Sequence, residues 1–219
     1  MDNSAAWQQW RTQFDHLQSE VMGLIVLRLV WRDIRAMIET NKAIKRSGFA
    51  ENWLTQCYSV CQLVAVRRQV DSRKDVRSLR RSLDALARKP GMATRDWFVG
   101  ELAQNPYAHS LSRGFDVFAP GGQEHVDSAL VEADRDRLVS RAENAKRIVD
   151  TSLAHLDPAR REEPPTITWG EFDQAVDTIG ELYQKYYALA RPGERMSLKP
   201  VVPTGWDRMF ETAWKSAAG

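Results

Sequence analysis

One histidine in this chain is placed to move protons. His155 lies in the run Ala154-His155-Leu156-Asp157, at the end of a long segment with helical periodicity. The apolar stripe of that segment passes through Leu138, Ala142, Ala145, Val149 and Leu156. His155 sits about 100° from the centre of the stripe, on its flank. In the last turn of a helix it meets the negative end of the dipole, which favours the imidazolium. Asp157, two residues on, is positioned to orient it or pair with it. Such a histidine suits general acid or base chemistry. The plainer alternative is a helix-capping side chain bonded to a carbonyl. The other three histidines read as solvated or structural: His16 on an amphipathic helix, His109 and His125 in or beside a loop.

A second constellation is basic. Between Arg67 and Lys89 stand nine Lys or Arg and only three acids, although the whole chain carries a net charge of only +2. A block of that kind suits a phosphate backbone, with Arg67, Arg68, Arg77, Arg80 and Arg81 as the candidate RNA contacts. It equally suits a solvated helix face. Nucleotide-binding glycine loops, a Gly-x-Ser-x-Gly elbow and zinc spacings are all absent from the sequence, so no cofactor and no metal is expected. Cys57 and Cys61, four apart in an apolar helical pattern, read as small, reduced residues of the core. The best apolar run, Val21 to Leu27, is interrupted by Arg28 and Arg32, too early for a span of about 20 residues. With no basic leader after Met1, the expectation is a cytoplasmic protein without a membrane segment.

The elements that must position these residues are helices. Trp10, Phe14, Leu17, Val21, Leu24, Trp31 and Ile38 recur at helical steps, predicting one long helix from Ser4 to Lys45. A second is predicted over Glu51–Val70, with Leu54, Cys57, Tyr58, Cys61, Val64 and Ala65 as its apolar stripe. A third covers Val76–Arg88 and stops at Lys89-Pro90-Gly91. Thr94 reads as the N-cap of a shorter helix through Leu102. Residues 105–126 collect turn formers and read as a long loop. The fifth helix runs from Asp127-Ser128 to Leu156. After a linker containing Pro164-Pro165, Thr168 and Glu171 form a capping box that opens the sixth. The expected fold is all-α, a single-domain bundle of five to six helices with a long N-terminal helix. It divides into an N-terminal helical part (1–104), the loop, the histidine-bearing helix with its successor (127–190), and a docked tail (191–219).

Three stretches resemble the HEPN superfamily, specifically its abortive-infection protein U-like branch. They are Ala65-Val66-Arg67-Arg68-Gln69-Val70-Asp71 with Ser78-Leu79; Ala154-His155-Leu156-Asp157 with the Trp169-Gly170-Glu171 helix start and its Tyr186-Tyr187 end; and the region Pro203 to Trp214. The resemblance implies a dimerising helical bundle, in many members a metal-independent ribonuclease with an Arg-x(4–6)-His motif. His155 would then assist transfer from the RNA 2′-hydroxyl while an arginine holds the scissile phosphate. It also implies phage defence or a toxin–antitoxin role, a homodimer, and RNA, an antitoxin or a nucleotidyltransferase as partner.

The chain departs from the motif at its centre. The positions where the motif has arginine are Asp150, Val149 and Ile148 here, and the nearest arginine, Arg147, is eight residues before His155. Eight residues of helix rise about 12 Å, against about 7.5–10 Å for the usual spacing. Either Arg67, Arg68 or a partner subunit's arginine supplies the phosphate contact, or the chain is a non-catalytic interaction module. A small-molecule enzyme is a third reading, without a motif behind it. On the first, the catalytic set is His155, Arg147 and Asp157, and Arg67, Arg68 and Asp71 lie near His155.

Overall fold

Apolar residues at helical spacing need a common partner, and here the partner is one central helix. In a computed structural model describing residues 3–40, 48–153, 166–199, 202 and 204–208, the chain is all-α. The helices are α1 (Asn3–Asp15), α2 (Gln18–Thr40), α3 (Phe49–Gln69), α4 (Leu79–Arg88), α5 (Arg95–Glu101), α6 (Ala108–Ser112), α7 (Ser128–Ile148) and α8 (Trp169–Ala190). Among the described residues no strand forms, only an isolated antiparallel bridge between Thr94 and His125. α7 packs against α3, α4 and α8, while α2 covers α3 and α8 and α1 covers α4. Ala142 and Ala145 are fully buried on α7, so its backbone can come close to its neighbours.

The long N-terminal segment is helical to Thr40 but breaks at His16-Leu17, where the Leu17 amide bonds back to the Phe14 carbonyl. The break leaves the apolar stripe in phase, and all seven residues that predicted it are buried. A ladder of flat rings docks α1 on α8: Trp7 on Trp10, Trp10 on Phe14 and Phe14 on Tyr183, with centroids 4.9, 4.9 and 4.8 Å apart. Trp10 Nε1 donates to the Ser82 carbonyl at 2.8 Å, fastening α1 to α4. Residues 41–45, within the predicted first helix, lie outside the described residues.

The caps fall where the sequence puts them. The Thr94 side chain accepts from the Trp97 amide, and Thr168 and Glu171 form the reciprocal capping box. α4 starts later than predicted, at Leu79, because the Ser78 hydroxyl accepts from the Arg81 amide and caps it there.

Two expectations are corrected. Cys57 and Cys61 are exposed, not core. The buried face of α3 is Tyr58, Gln62, Leu63, Val66, Gln69 and Val70, because two glutamines turn inward. Gln62 donates to the Leu24 carbonyl at 3.0 Å, and Gln69 donates to Glu20 at 3.0 Å. These bonds offset part of the cost of burying the amides, while Oε1 of each glutamine is buried without a partner among the described residues. Residues 105–126 are not an irregular loop: they hold α6 and two short 3₁₀ turns, pinned by buried Phe115 and Phe118. Arg95 clamps the segment, donating to the Ala119 carbonyl at 3.1 Å and pairing with Asp116 at 2.8 Å.

Leu138 is fully buried on the central helix. Leu138→Ala is expected to cost about 2–5 kcal/mol. Chemical denaturation followed by circular dichroism checks this, and a loss under about 1 kcal/mol would show that α7 is not the core's centre.

Candidate functional site

Two helices end side by side: α3 at Gln69 and α7 at Ile148. α7 continues into one turn of π-helix, Val149–Leu153, in which the Thr151 hydroxyl donates to the Arg147 carbonyl at 2.8 Å. A side chain bonding back to that carbonyl is consistent with a widened turn, and such turns recur at functional sites. The C-terminal end of α3 directs its negative dipole end here, which favours cations.

The cations that gather are Arg67, Arg73 and Lys146, with Asp71 and Asp150 between them. Arg67 Nε donates to Asp150 Oδ1 at 3.0 Å while its terminal nitrogen bonds Asp71. Lys146 Nζ reaches Asp150 Oδ2 at 2.7 Å. Arg73 donates to Asp71 from its amide at 2.9 Å and from Nε at 3.2 Å. The network carries three cations against two carboxylates. Arg67 and Asp71 are largely covered, whereas the Arg73 and Lys146 side chains are 63% and 43% exposed. Burial pushes the Asp71 carboxyl up, but bonds from the Arg73 amide and Arg67 outweigh it and hold it below the usual carboxylate range. Asp150 is likewise lowered, its burial outweighed by Lys146 and Arg67. The arrangement can present one surplus positive charge to an anion, with Arg67 largely covered and Arg73 and Lys146, each bonded to a carboxylate, on its exposed side.

His155 and Asp157 lie outside the described residues, so their predicted places on the helix flank are not described by the structure. The described chain reaches Leu153, three residues past Asp150. Arg147 is exposed and donates to Asn144 Oδ1 at 3.2 Å, apart from the Arg67–Asp150 pair. Asn144 in turn donates to Glu171 at 2.9 Å, tying the end of α7 to the start of α8.

The basic stretch does not form one open face. Arg68 pairs with Glu20 at 2.6 Å. Arg81 donates to the Val76 carbonyl at 2.8 Å and also to the Lys74 carbonyl. Arg80 reaches the Val70 carbonyl at 3.4 Å, so these two arginines shape the connection from α3 to α4. Arg77 is exposed and its side chain has no bonded partner among the described residues. Of the five candidate RNA contacts, Arg67 alone belongs to the network beneath the π turn. Sequence reasoning missed Lys146 as a member and read Asp150 only as a missing arginine. The signal was present in two opposite-charge pairs at i,i+4, Arg67/Asp71 and Lys146/Asp150.

Among the described residues no group of three His, Cys, Asp or Glu side chains is arranged to hold a metal, and no helix is long and apolar enough to cross a membrane. Comparison with family models, curated proteins and solved structures finds no match to this chain.

The lowered carboxyls make a pH prediction. Their folded pKa values lie below the unfolded ones, so the network's stabilisation is full above the unfolded value of about 4 and is lost as pH falls toward the folded values. Melting temperature should therefore fall between about pH 5 and pH 3, with a shallower fall in Asp150→Asn. In a double-mutant cycle, Arg67→Ala and Asp150→Ala should couple by about 1 kcal/mol. Strict additivity would mean that the pair does not hold α3 to α7.

Proposed function

We propose that the protein is a HEPN-type, RNA-binding helical bundle that cleaves RNA without a metal, in the setting of prokaryotic defence or a toxin–antitoxin pair. The observation that carries this is the Arg67–Asp150 bond. Asp150 occupies the position, five residues before His155, where the resembled motif has arginine, and a guanidinium from α3 stands against it at 3.0 Å. The arginine missing from the motif's own helix is thus supplied by a neighbouring one. His155 follows Leu153 by two positions, a reach of at most about 7 Å.

In this reading the scissile phosphate meets Arg67, Arg73 and Lys146, which offset the charge that builds on its oxygens. His155, oriented by Asp157, takes the proton from the 2′-hydroxyl. The 2′-oxygen attacks phosphorus, and the bond to the 5′-oxygen breaks to leave a 2′,3′-cyclic phosphate and a 5′-hydroxyl, whose proton comes from water. Arg147 adds positive charge at the surface, not the phosphate clamp. Arg68, Arg77, Arg80 and Arg81 lie around the adjoining connection, with Arg77 the freest to meet a strand.

A second reading also has an observation behind it. Phe49, Trp53 and Val64 are exposed on one face of α3, together with Cys57 and Cys61. An apolar stripe of that kind suits a non-catalytic interaction module, in a homodimer or with an antitoxin or nucleotidyltransferase.

Incubation of the full chain with total RNA in EDTA distinguishes the two. The ribonuclease reading expects cleavage that His155→Ala slows by about 10²-fold or more and Arg67→Ala by about tenfold or more. Intact RNA across pH 5–9, or equal cleavage by His155→Ala, would overturn it. A monomer at all concentrations that captures no neighbouring-gene product would overturn the interaction reading.

A further inference from the structure

Away from the charged network, a second site opens along the seam between α2 and α8. The chain leaving α8 lies along these two helices as a strap, and its residues 195–199 line an open cleft of about 650 Å³. That volume suits one small ligand. The apolar part of the lining is Ile25 and Leu29 from α2 and Met196 and Leu198 from the strap. The cationic part is Arg28 and Arg32 from α2 and Arg195 and Lys199 from the strap.

The strap is fastened in place. Gln184 Nε2 donates to the Met196 carbonyl at 2.9 Å, and the Tyr187 hydroxyl donates to Glu194 at 2.8 Å. Gly180 of α8 lets it settle: a Cβ there would stand 3.3 Å from Leu198 Cδ1 and 3.6 Å from Ile25 Cδ1.

The four cations are not alike. Arg28 is held by Asp177 at 2.7 Å and Arg32 by Asp173 at 2.8 Å, which fixes both guanidinium groups. Arg195 and Lys199 are exposed and their side chains have no bonded partner among the described residues. The cleft therefore has two arginines offset by Asp173 and Asp177 and two uncommitted positive charges beside an apolar lining. On α2, one turn beyond Arg32, the Arg35 guanidinium lies 6.0 Å from the ring centre of Trp169, which starts α8 and is 41% exposed. Trp169 is backed by Trp31 and Tyr58, with centroids 6.2 and 5.9 Å away.

An inorganic anion would leave the apolar lining unused, and an aliphatic chain would leave the cations unused. A ligand with a multiply charged head and a flat, weakly polar body uses both. We propose that this cleft binds a nucleoside phosphate, either free or as one unit of an RNA strand whose neighbouring base stacks on Trp169. The inference goes beyond the ribonuclease reading and does not need His155.

The test uses the full chain with two probes: adenosine monophosphate by calorimetry, and a five-nucleotide 2′-O-methyl RNA, which cannot be cleaved through its 2′-oxygen, by fluorescence anisotropy. Arg195→Glu and Lys199→Glu are each expected to weaken binding about tenfold and to reduce its salt dependence. Arg113→Glu, an exposed charge reversal elsewhere, should leave it unchanged. Trp169→Ala should weaken only the strand, by about fivefold or more. Binding of the mononucleotide alone identifies a free nucleotide as the ligand, and binding of the strand alone identifies RNA. No binding of either probe at millimolar concentration, or equal weakening by Arg113→Glu, overturns the proposal. Loss of RNA cleavage in His155→Ala with binding here unchanged separates this site from the other.

Discussion

The candidate site depends on one constraint: the last turn of α3 lies against the π turn that continues α7, joined by the bond from Arg67 to Asp150. Around that bond the chain gathers Arg67, Arg73 and Lys146. Cations alone would repel one another, so Asp71 and Asp150 stand between them. Carboxylates at the end of a helix are themselves unfavourable, and only the bonds from Arg67, Arg73 and Lys146 keep them ionised below the ordinary range. Cations and acids therefore hold each other in position, and removing either acid leaves its cations with uncompensated charge.

The apolar architecture was legible because it follows from periodicity. The stripe from Trp10 to Ile38, the Leu138–Val149 seam and the Phe172–Tyr186 face are buried as their spacing requires. Caps were legible for a similar local reason: Thr94 and Thr168 have their partners within three residues. α3 was misread because its apolar residues go nearly all the way round. Gln62 and Gln69, not the cysteines, mark its buried face, and their partners, Leu24 and Glu20, lie on another helix.

Charged residues were less legible for the same physical reason. A basic stretch reads as one electrostatic feature, but each guanidinium is committed separately by whatever lies opposite in the fold. Arg68 finds Glu20, Arg80 and Arg81 find carbonyls, and Arg67 finds Asp150 in the π turn after α7, 83 positions away. Sequence spacing predicts the i,i+4 half of the network, Arg67 with Asp71 and Lys146 with Asp150. It cannot predict the bond that joins the halves, because that bond depends on the register between two helices.

That register also bears on the segment carrying His155. Its preceding end is fixed by Arg67 and Lys146 on Asp150, and its following end by the Thr168–Glu171 box, which Asn144 joins to α7. The first anchor is Asp150, in the π turn, and the second is Asn144, on α7, less than two turns apart. The bond from Arg67 fixes where the chain leaves α7, and the bond from Asn144 to Glu171 fixes where α8 begins beside it. The ion network and the capping box therefore act on one short stretch of helix, and a shift in the register between α3 and α7 would move both together.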